Sequence, residues 1–486
     1  MHLFNTKPNG MKVDKAYPVA GLLLTVLVLQ ACAVGPDYQA PETANPEQFA
    51  NAANPEYSTQ AVDAEWWKLF ADDTLNSLVE QVLQHNFELK TAEANLREAR
   101  ALYQEAALNL LPTITSHANY TEQKRSIGSL NNRNFVPREL KLFNVGFDAS
   151  WEADFFGRVR RAVEVSDDTF AAQEATVRDV GVSLIAETAR NYFELRGLQN
   201  ELAVADKNAA NLTETLAITQ AKLAIGRGTE LDTARAKALL DATLAGVPTL
   251  ESAIGQAIHR LSVLTGQPPG ALRETLVKPA GMPKLPELIH IGSPAELLRR
   301  RADIRVAERT LAASTAQIGV VTGDLFPRVT FSGTLSLEAN TLGGLGAAGA
   351  DTYSVGPRIT WAAFDLSRVY ARIKAAGAHA EADLANYQQT VLTALAETED
   401  ALIAYNRERA RRDLLVSAAQ ASQKAHALAH LRFDEGVSDF LTVLDAESRL
   451  LQNQSQLAQS QTATATALAA VYKALGGGWD NQPAQP

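Results

Sequence analysis

Phe143-Asn144-Val145-Gly146-Phe147-Asp148-Ala149-Ser150-Trp151-Glu152-Ala153-Asp154-Phe155 alternates without a break. The odd positions carry Phe, Val, Ala and Trp; the even ones carry Asn, Gly, Asp, Ser and Glu. Period two is the signature of a strand with one apolar and one polar face. Arg328 to Glu338 repeats it, with Val329, Phe331, Gly333, Leu335 and Leu337 on one side and Thr330, Ser332, Thr334 and Ser336 on the other. Thr113 to Tyr120 and Ser354 to Phe364 alternate more weakly, and Pro357 inside the last segment suits a strand end or an unpaired position. A soluble sheet resting on a core would alternate in the same way. Two features argue against it. The segments have about the 9–11 residues that a tilted membrane strand needs, and no other strand-rich region is available for a second sheet. Four strands cannot close a barrel, whose smallest form has about eight, and open edges are not viable in lipid. The expectation is a barrel shared among several chains, its apolar side chains turned outward.

Working outward from these strands, the chain repeats itself. Val145-Gly146, Trp151, Arg158-Val159, Ala186-Glu187-Thr188, Gly226, Leu231, Ala236 and Leu240 recur 210 residues later, as Val355-Gly356 through Leu450. Upstream, Glu88-Leu89-Lys90, Glu93 and Leu111-Pro112 match Asp303-Ile304-Arg305, Glu308 and Phe326-Pro327 at an offset of 215. The register therefore changes once, between Pro112 and Val145, which marks a loop of unequal length.

Each copy continues into a long helical stretch. Arg158 to Ile225 contains no proline, and as one helix its 68 residues would span roughly 100 Å. Leu195, Leu198, Leu202, Ala205, Ala209, Leu212, Leu216, Thr219 and Leu223 repeat at alternating spacings of three and four, a heptad seam. Arg368 to Glu435 also lacks proline, and there Leu414, Ala418, Ala421, Ala425 and Leu428 suggest a seam in a different frame. Gly226-Arg227-Gly228 and Gly436 break the helices, which resume through Leu231–Leu264 and Leu441–Leu475. Short breaks imply antiparallel neighbours, so each half ends in a coiled-coil hairpin. The apolar content is too interrupted for membrane helices.

The N-terminus reads as an export signal. Lys12 and Lys15 precede an apolar run from Val19 to Leu29, too short to span a bilayer and the right length for a signal h-region. Met11 is an alternative start. The run ends in Leu29-Gln30-Ala31-Cys32, with the single cysteine of the chain where lipoprotein processing needs it. Gln30 is less usual there. Cys32 is expected to become the lipidated first residue, anchored at roughly 0.8 kcal/mol per buried methylene.

Composition excludes other classes. The 486 residues are 46% hydrophobic and 21% charged, with 29 Gly and 19 Pro, so the chain is neither disordered nor collagenous. One Cys excludes an intrachain disulfide and a Cys-rich zinc module. A net charge of -10 argues against nucleic-acid binding. No G-x-S-x-G, H-E-x-x-H or paired-carboxylate signature is present, so no enzyme is expected. Gly344-Leu345-Gly346-Ala347-Ala348-Gly349 has the letters of a dinucleotide fingerprint but lies between two strands, with no helix N-terminus to hold a phosphate. His426 and His430 stand one helical turn apart and could share a metal. They lack a nearby third ligand, and His426 takes the place equivalent to Leu216, so packing is expected and no metal site. Asp154 and Asp365 sit where helix caps would be. Asp445 lies just past the Gly436 break, where an acidic residue favours the helix dipole.

Several motifs resemble outer membrane efflux lipoproteins of the TolC/OprM/NodT group, over nearly the whole mature chain. They are Cys32-Ala33-Val34-Gly35-Pro36-Asp37-Tyr38, Trp66-Trp67, Asp154-Phe155-Phe156-Gly157-Arg158, Arg301-Ala302-Asp303-Ile304-Arg305-Val306-Ala307-Glu308, and Gly436 through Val443-Leu444-Asp445-Ala446. Ala302 stands where the family usually has Pro. The resemblance implies a mainly α protein: a long coiled-coil α-barrel plus a shared transmembrane β-barrel, four strands per chain, trimeric. It implies a passive exit duct for drugs or other small toxic compounds, with no cofactor beyond the covalent lipid on Cys32. Its partners would be a homotrimer, a periplasmic adaptor, an inner-membrane RND transporter and outer membrane lipid. The periplasmic aperture would be ringed by Leu441 and Asp445, less acidic than in relatives with a second Asp where Thr442 stands. Asp232 would tie neighbouring coils together, with Arg432 and Phe433 as partners. Phe143, Val145, Phe147, Trp151, Val329, Phe331 and Trp361 would face lipid. The expected domains are a signal at 1–31, a lipid-anchored segment at 32–74, repeats at 75–270 and 271–475, and a tail at 476–486. A type I secretion duct and a non-pore lipoprotein scaffold are the rival readings.

Overall fold

The protein is described by a computed structural model covering residues 33–42, 46–52, 56–126, 128 and 138–479. Cys32, the signal and the last residues of the tail lie outside the described residues. In chain order the elements are β1 (Tyr57–Ser58), α1 (Asp73–His85), α2 (Phe87–Leu108), β2 (Thr113–Lys124), β3 (Glu139–Ala153), α3 (Arg158–Ala224) and α4 (Glu230–Leu264). Then follow α5 (Arg273–Leu276), β4 (Ile289–His290), α6 (Pro294–Arg300), α7 (Ala302–Thr322), β5 (Arg328–Ala339), β6 (Asp351–Thr360), α8 (Leu366–Asp434) and α9 (Phe440–Ala474). The run α2-β2-β3-α3-α4 returns as α7-β5-β6-α8-α9. No helix among the described residues is long and apolar enough to cross a membrane.

The chain divides into two compact units. One holds the described residues up to Pro41 with Glu98–Ala171 and Glu308–Ala385. It contains a four-stranded antiparallel sheet in the order β2-β3-β5-β6. Strands β2 and β6 are its edges. Pro357, which cannot donate to a ladder, lies on β6 opposite Phe331, which an edge strand tolerates. The strands reach further than the alternation suggested at Lys124 and at Glu139. At their other ends Phe155, Trp361 and Phe364 fall just outside them.

The second unit holds Glu42–Arg97, Ala172–Ala307 and the chain from Asn386 onward. Its core gathers Trp66, Trp67, Phe70, Tyr192, Phe193, Leu261, Tyr405 and Tyr472. Trp66 is fully buried and stacks on Tyr472 at 4.9 Å. The Arg301-Ala302-Asp303 motif ties this core. Arg301 donates to both carboxylate oxygens of Asp303 (3.0 and 2.6 Å), to Glu397 (2.7 Å) and to the Ala474 carbonyl (3.1 Å). A short parallel pair, β1 with β4, which the alternation did not indicate, closes over it.

The hairpins α3–α4 and α8–α9 are built by local rules. Gly226 and Gly436 take φ of 74° and 71°, where a side chain would be strained. The Arg227 and Val437 amides donate back to Lys222 and Arg432, both at 2.8 Å. Thr229 and Asp439 then cap α4 and α9, accepting from the Asp232 and Thr442 amides. The seam expected on α3 is largely buried. The seam expected on α8 is not: Leu414 is 74% and Leu428 51% exposed. The row turned inward runs through Leu415, Ala419, Ser422, His426, Ala429 and Phe433. That row is the α3 seam displaced by 210 residues, so both copies keep one frame. Polar residues at 422 and 426 had disguised it.

Candidate functional site

The sheet presents two chemically opposite faces. Residues that pair directly in an antiparallel ladder share a face. The register therefore aligns Ile114, Ala118 and Tyr120 of β2 with Phe143, Val145, Phe147 and Trp151 of β3. Val329, Phe331, Leu335 and Leu337 of β5 and Tyr353, Val355 and Ile359 of β6 lie on that same face. Phe147, Leu335, Tyr353, Val355 and Ile359 are each at least 60% exposed, a contiguous apolar surface of the kind that marks a membrane or protein interface. The opposite face carries a polar network. His117 bridges Asp148 (2.7 Å) and Asn144 (2.5 Å), and Thr334 donates to Asp148 at 2.8 Å. Its members come from three strands, so no single segment revealed it.

Both ends of the duplication are pinned alike. The Trp151 indole donates to the Leu110 carbonyl and the Trp361 indole to the Leu325 carbonyl, each at 3.0 Å. The tryptophans differ by 210 residues and their acceptors by 215, so the bond preserves geometry across the change of register. Asp154 caps α3, accepting from the Val159 and Arg160 amides at 3.0 and 2.9 Å. Asp365 instead pairs with Arg368 at 3.0 Å.

The segment after Cys32 is held to its own unit. Val34 donates its amide to Phe156, while buried Arg161 donates to the Val34 carbonyl (3.2 Å) and to Asp37 (2.5 Å). A Cβ on Gly35 would stand 2.4 Å from the Gly319 Cα, so this approach requires glycine. The conspicuous Gly35-Pro36-Asp37-Tyr38 motif is thus a docking sequence.

At the hairpin tips, Leu441 is 49% exposed and Asp445 is exposed on α9. Asp445 accepts from Arg449 one turn on, at 3.0 Å. Asp232 accepts from Thr229 at 2.7 Å, and no ion pair joins it to Arg432 within the described chain. Phe433 packs with Ala236, Phe440 and Val443, and the Lys222 ammonium lies 3.4 Å above its ring. Of the tip residues named from the sequence, Arg432, Phe433, Leu441 and Asp445 flank the Gly436 turn while Asp232 belongs to the other hairpin, and they are not bonded as a set.

One expectation is corrected. His426 and His430 do have a third potential ligand nearby, the Glu447 carboxylate of α9. It lay hidden because a neighbouring helix supplies it. Burial pushes the Glu447 carboxyl up to about 7, from an ordinary 4.5. Burial, and then His430, pulls the His426 imidazole down.

An exposed apolar sheet face backed by a polar one, in a chain that also carries long helical hairpins, fits the class of outer membrane channel proteins. The profile of the outer membrane efflux protein family matches residues 78–267 and 294–477, and the chain belongs to that family. It is 30% identical to Nodulation protein T of Rhizobium leguminosarum bv. trifolii, over 93% of this chain and 96% of that protein. It is 29% identical to Outer membrane protein OprJ of Pseudomonas aeruginosa, over 96% of each. Among solved structures it resembles the outer-membrane channel OprN, with 42% identity, a TM-score of 0.87, and 92% of this chain and 100% of that one covered. The protein is an efflux channel component of the outer membrane that extends into the periplasm, and not an enzyme.

Proposed function

We propose that three copies of this chain close one β-barrel and one helical tunnel, forming a passive exit duct for drugs or other small toxic compounds. The observation that carries this reading is the sheet. It has four strands, two unpaired edges and an apolar face that a single chain leaves bare. Strand β6 of one copy meeting β2 of the next satisfies every edge group and turns the His117–Asp148 network toward the lumen. Relatives named as toluene and antibiotic efflux pump outer membrane proteins of Pseudomonas putida support small-molecule cargo. An inner-membrane RND transporter supplies the energy, and a periplasmic adaptor opens the hairpin tips. Leu441 and Asp445 ring the closed aperture, and Asp232, Arg432 and Phe433 hold adjacent coils across chains. The face bearing Phe143, Val145, Phe147, Trp151, Val329 and Phe331, with Trp361 at its rim, meets lipid. Lipid on Cys32 secures the docked segment behind it.

The test is twofold. Light scattering in detergent should give roughly three times the chain mass; a monomer ends the proposal. In planar bilayers Asp445→Ala should raise conductance at least twofold by loosening the aperture. Unchanged conductance removes Asp445 from the constriction. Arg449→Ala should shift selectivity toward cations, because Arg449 offsets the Asp445 charge.

A further inference from the structure

Helices α8 and α9 bring three metal-ligating side chains together about three helical turns behind Gly436. His426 and His430 lie one turn apart on α8, with ring centroids 4.5 Å apart. Glu447 reaches them from α9, its Oε1 4.0 Å from the His426 Nε2. One donor atom from each of the three lies within 4.8 Å of the others. Glu447 is only 1% exposed. Its Oε2 and the His426 Nε2 are both buried without a hydrogen-bond partner. Among the described residues no lysine or arginine comes within ion-pair distance of this carboxylate. Unpartnered buried polar atoms beside one another are costly unless something binds between them.

The donor set says what would bind. Two imidazoles and one carboxylate suit a borderline divalent transition ion and not calcium or magnesium, which take oxygen cages. Donors around tetrahedral zinc sit roughly 3.3 Å apart. Closing the observed separations therefore needs only small rotamer changes in two half-buried rings and one carboxylate. The buried hydroxyl of Thr215 on α3 lies near this carboxylate and favours its charged form. A fourth position stays available to water.

We propose that His426, His430 and Glu447 bind one zinc-class divalent cation per chain, stapling α8 to α9 behind the tip. The first copy has Leu216, Gln220 and Lys237 at the equivalent places, so it offers no such site and the stoichiometry is one.

The experiment uses the full chain in detergent, without a histidine tag and stripped with EDTA. Cobalt chloride is titrated in and followed by visible absorption, then zinc chloride is added to displace it. The expected result is one cobalt per chain, with the intense bands of a four- or five-coordinate site, bleached by zinc. His430→Ala and Glu447→Gln should each weaken binding at least tenfold without changing the circular dichroism. Zinc should raise the apparent unfolding temperature of the parent by several degrees and leave both variants unmoved. Less than a fifth of an equivalent of cobalt, or a titration that neither substitution alters, overturns the assignment.

Discussion

At their turns the hairpins α3–α4 and α8–α9 are interchangeable. Each has a glycine at positive φ, a 2.8 Å amide bond back across the turn, and a capping side chain 210 residues from its counterpart. About three turns behind, they diverge. The first hairpin puts Leu216 into the contact shared by two apolar clusters. The second puts His426 and Glu447 there. The difference shows what a duplicated coiled coil must keep. Backbone geometry at the turn has few solutions, so it persists. A seam position demands volume at a heptad place and tolerates a change of polarity if the polar atoms can be satisfied.

The largest effect that would sharpen this contrast is on pH dependence. In the metal-free chain the Glu447 carboxyl titrates near 7 when folded and near 4.5 when unfolded. The folded state thus favours the protonated form, so this stabilisation is full below pH 4.5 and is lost as pH rises through 7. The loss amounts to up to about 3 kcal/mol per chain. Glu447→Gln should flatten the dependence of unfolding temperature on pH between 5 and 8 in EDTA. Lys237→Gln, at the equivalent exposed place in the first hairpin, should leave it unchanged. A second comparison concerns Gly197, where a Cβ would stand 2.0 Å from Thr462 Oγ1 and 2.8 Å from its Cβ. No rotamer of Thr462 clears this, so Gly197→Ala should cost about 2 kcal/mol despite better helix propensity. Arg407→Ala, its exposed counterpart on α8, should change stability by under ~0.5 kcal/mol. Smallest is the seam itself. Leu216→Ala should cost ~1.5 kcal/mol, and His426→Ala in EDTA less than half of that, because its Nε2 holds no bond to lose. Thermal unfolding by circular dichroism reads all three, and equal losses at 216 and 426 would erase the distinction.

Much of this architecture was legible from residues alone. The alternation from Phe143 to Phe155 gave a strand and its faces, because one-sided burial forces period two. Gly226 and Gly436 announced the turns because few residues accept that conformation. What stayed hidden depends on partners distant in sequence. The β1–β4 pair joins two-residue strands that carry no periodic signal. His117 finds Asp148 only once β2 and β3 are in register. The α8 seam was misread because Ser422 and His426 occupy it while leucines such as Leu414 and Leu428 sit outside. Glu447 became a neighbour of His426 only through the register of the hairpin. The docking role of Gly35 depends on Gly319, which no local pattern marks.

The bare edges of β2 and β6 also bear on how the molecule is made. If three chains share one barrel as proposed, a lone chain has no means of hiding those backbone groups from hydrocarbon and has to meet its companions before or during entry into the bilayer. Biogenesis then has a kinetic order above one. Lowering synthesis by half should cut the amount of inserted channel by more than half, and the surplus should wait in the periplasm as substrate for chaperones and proteases.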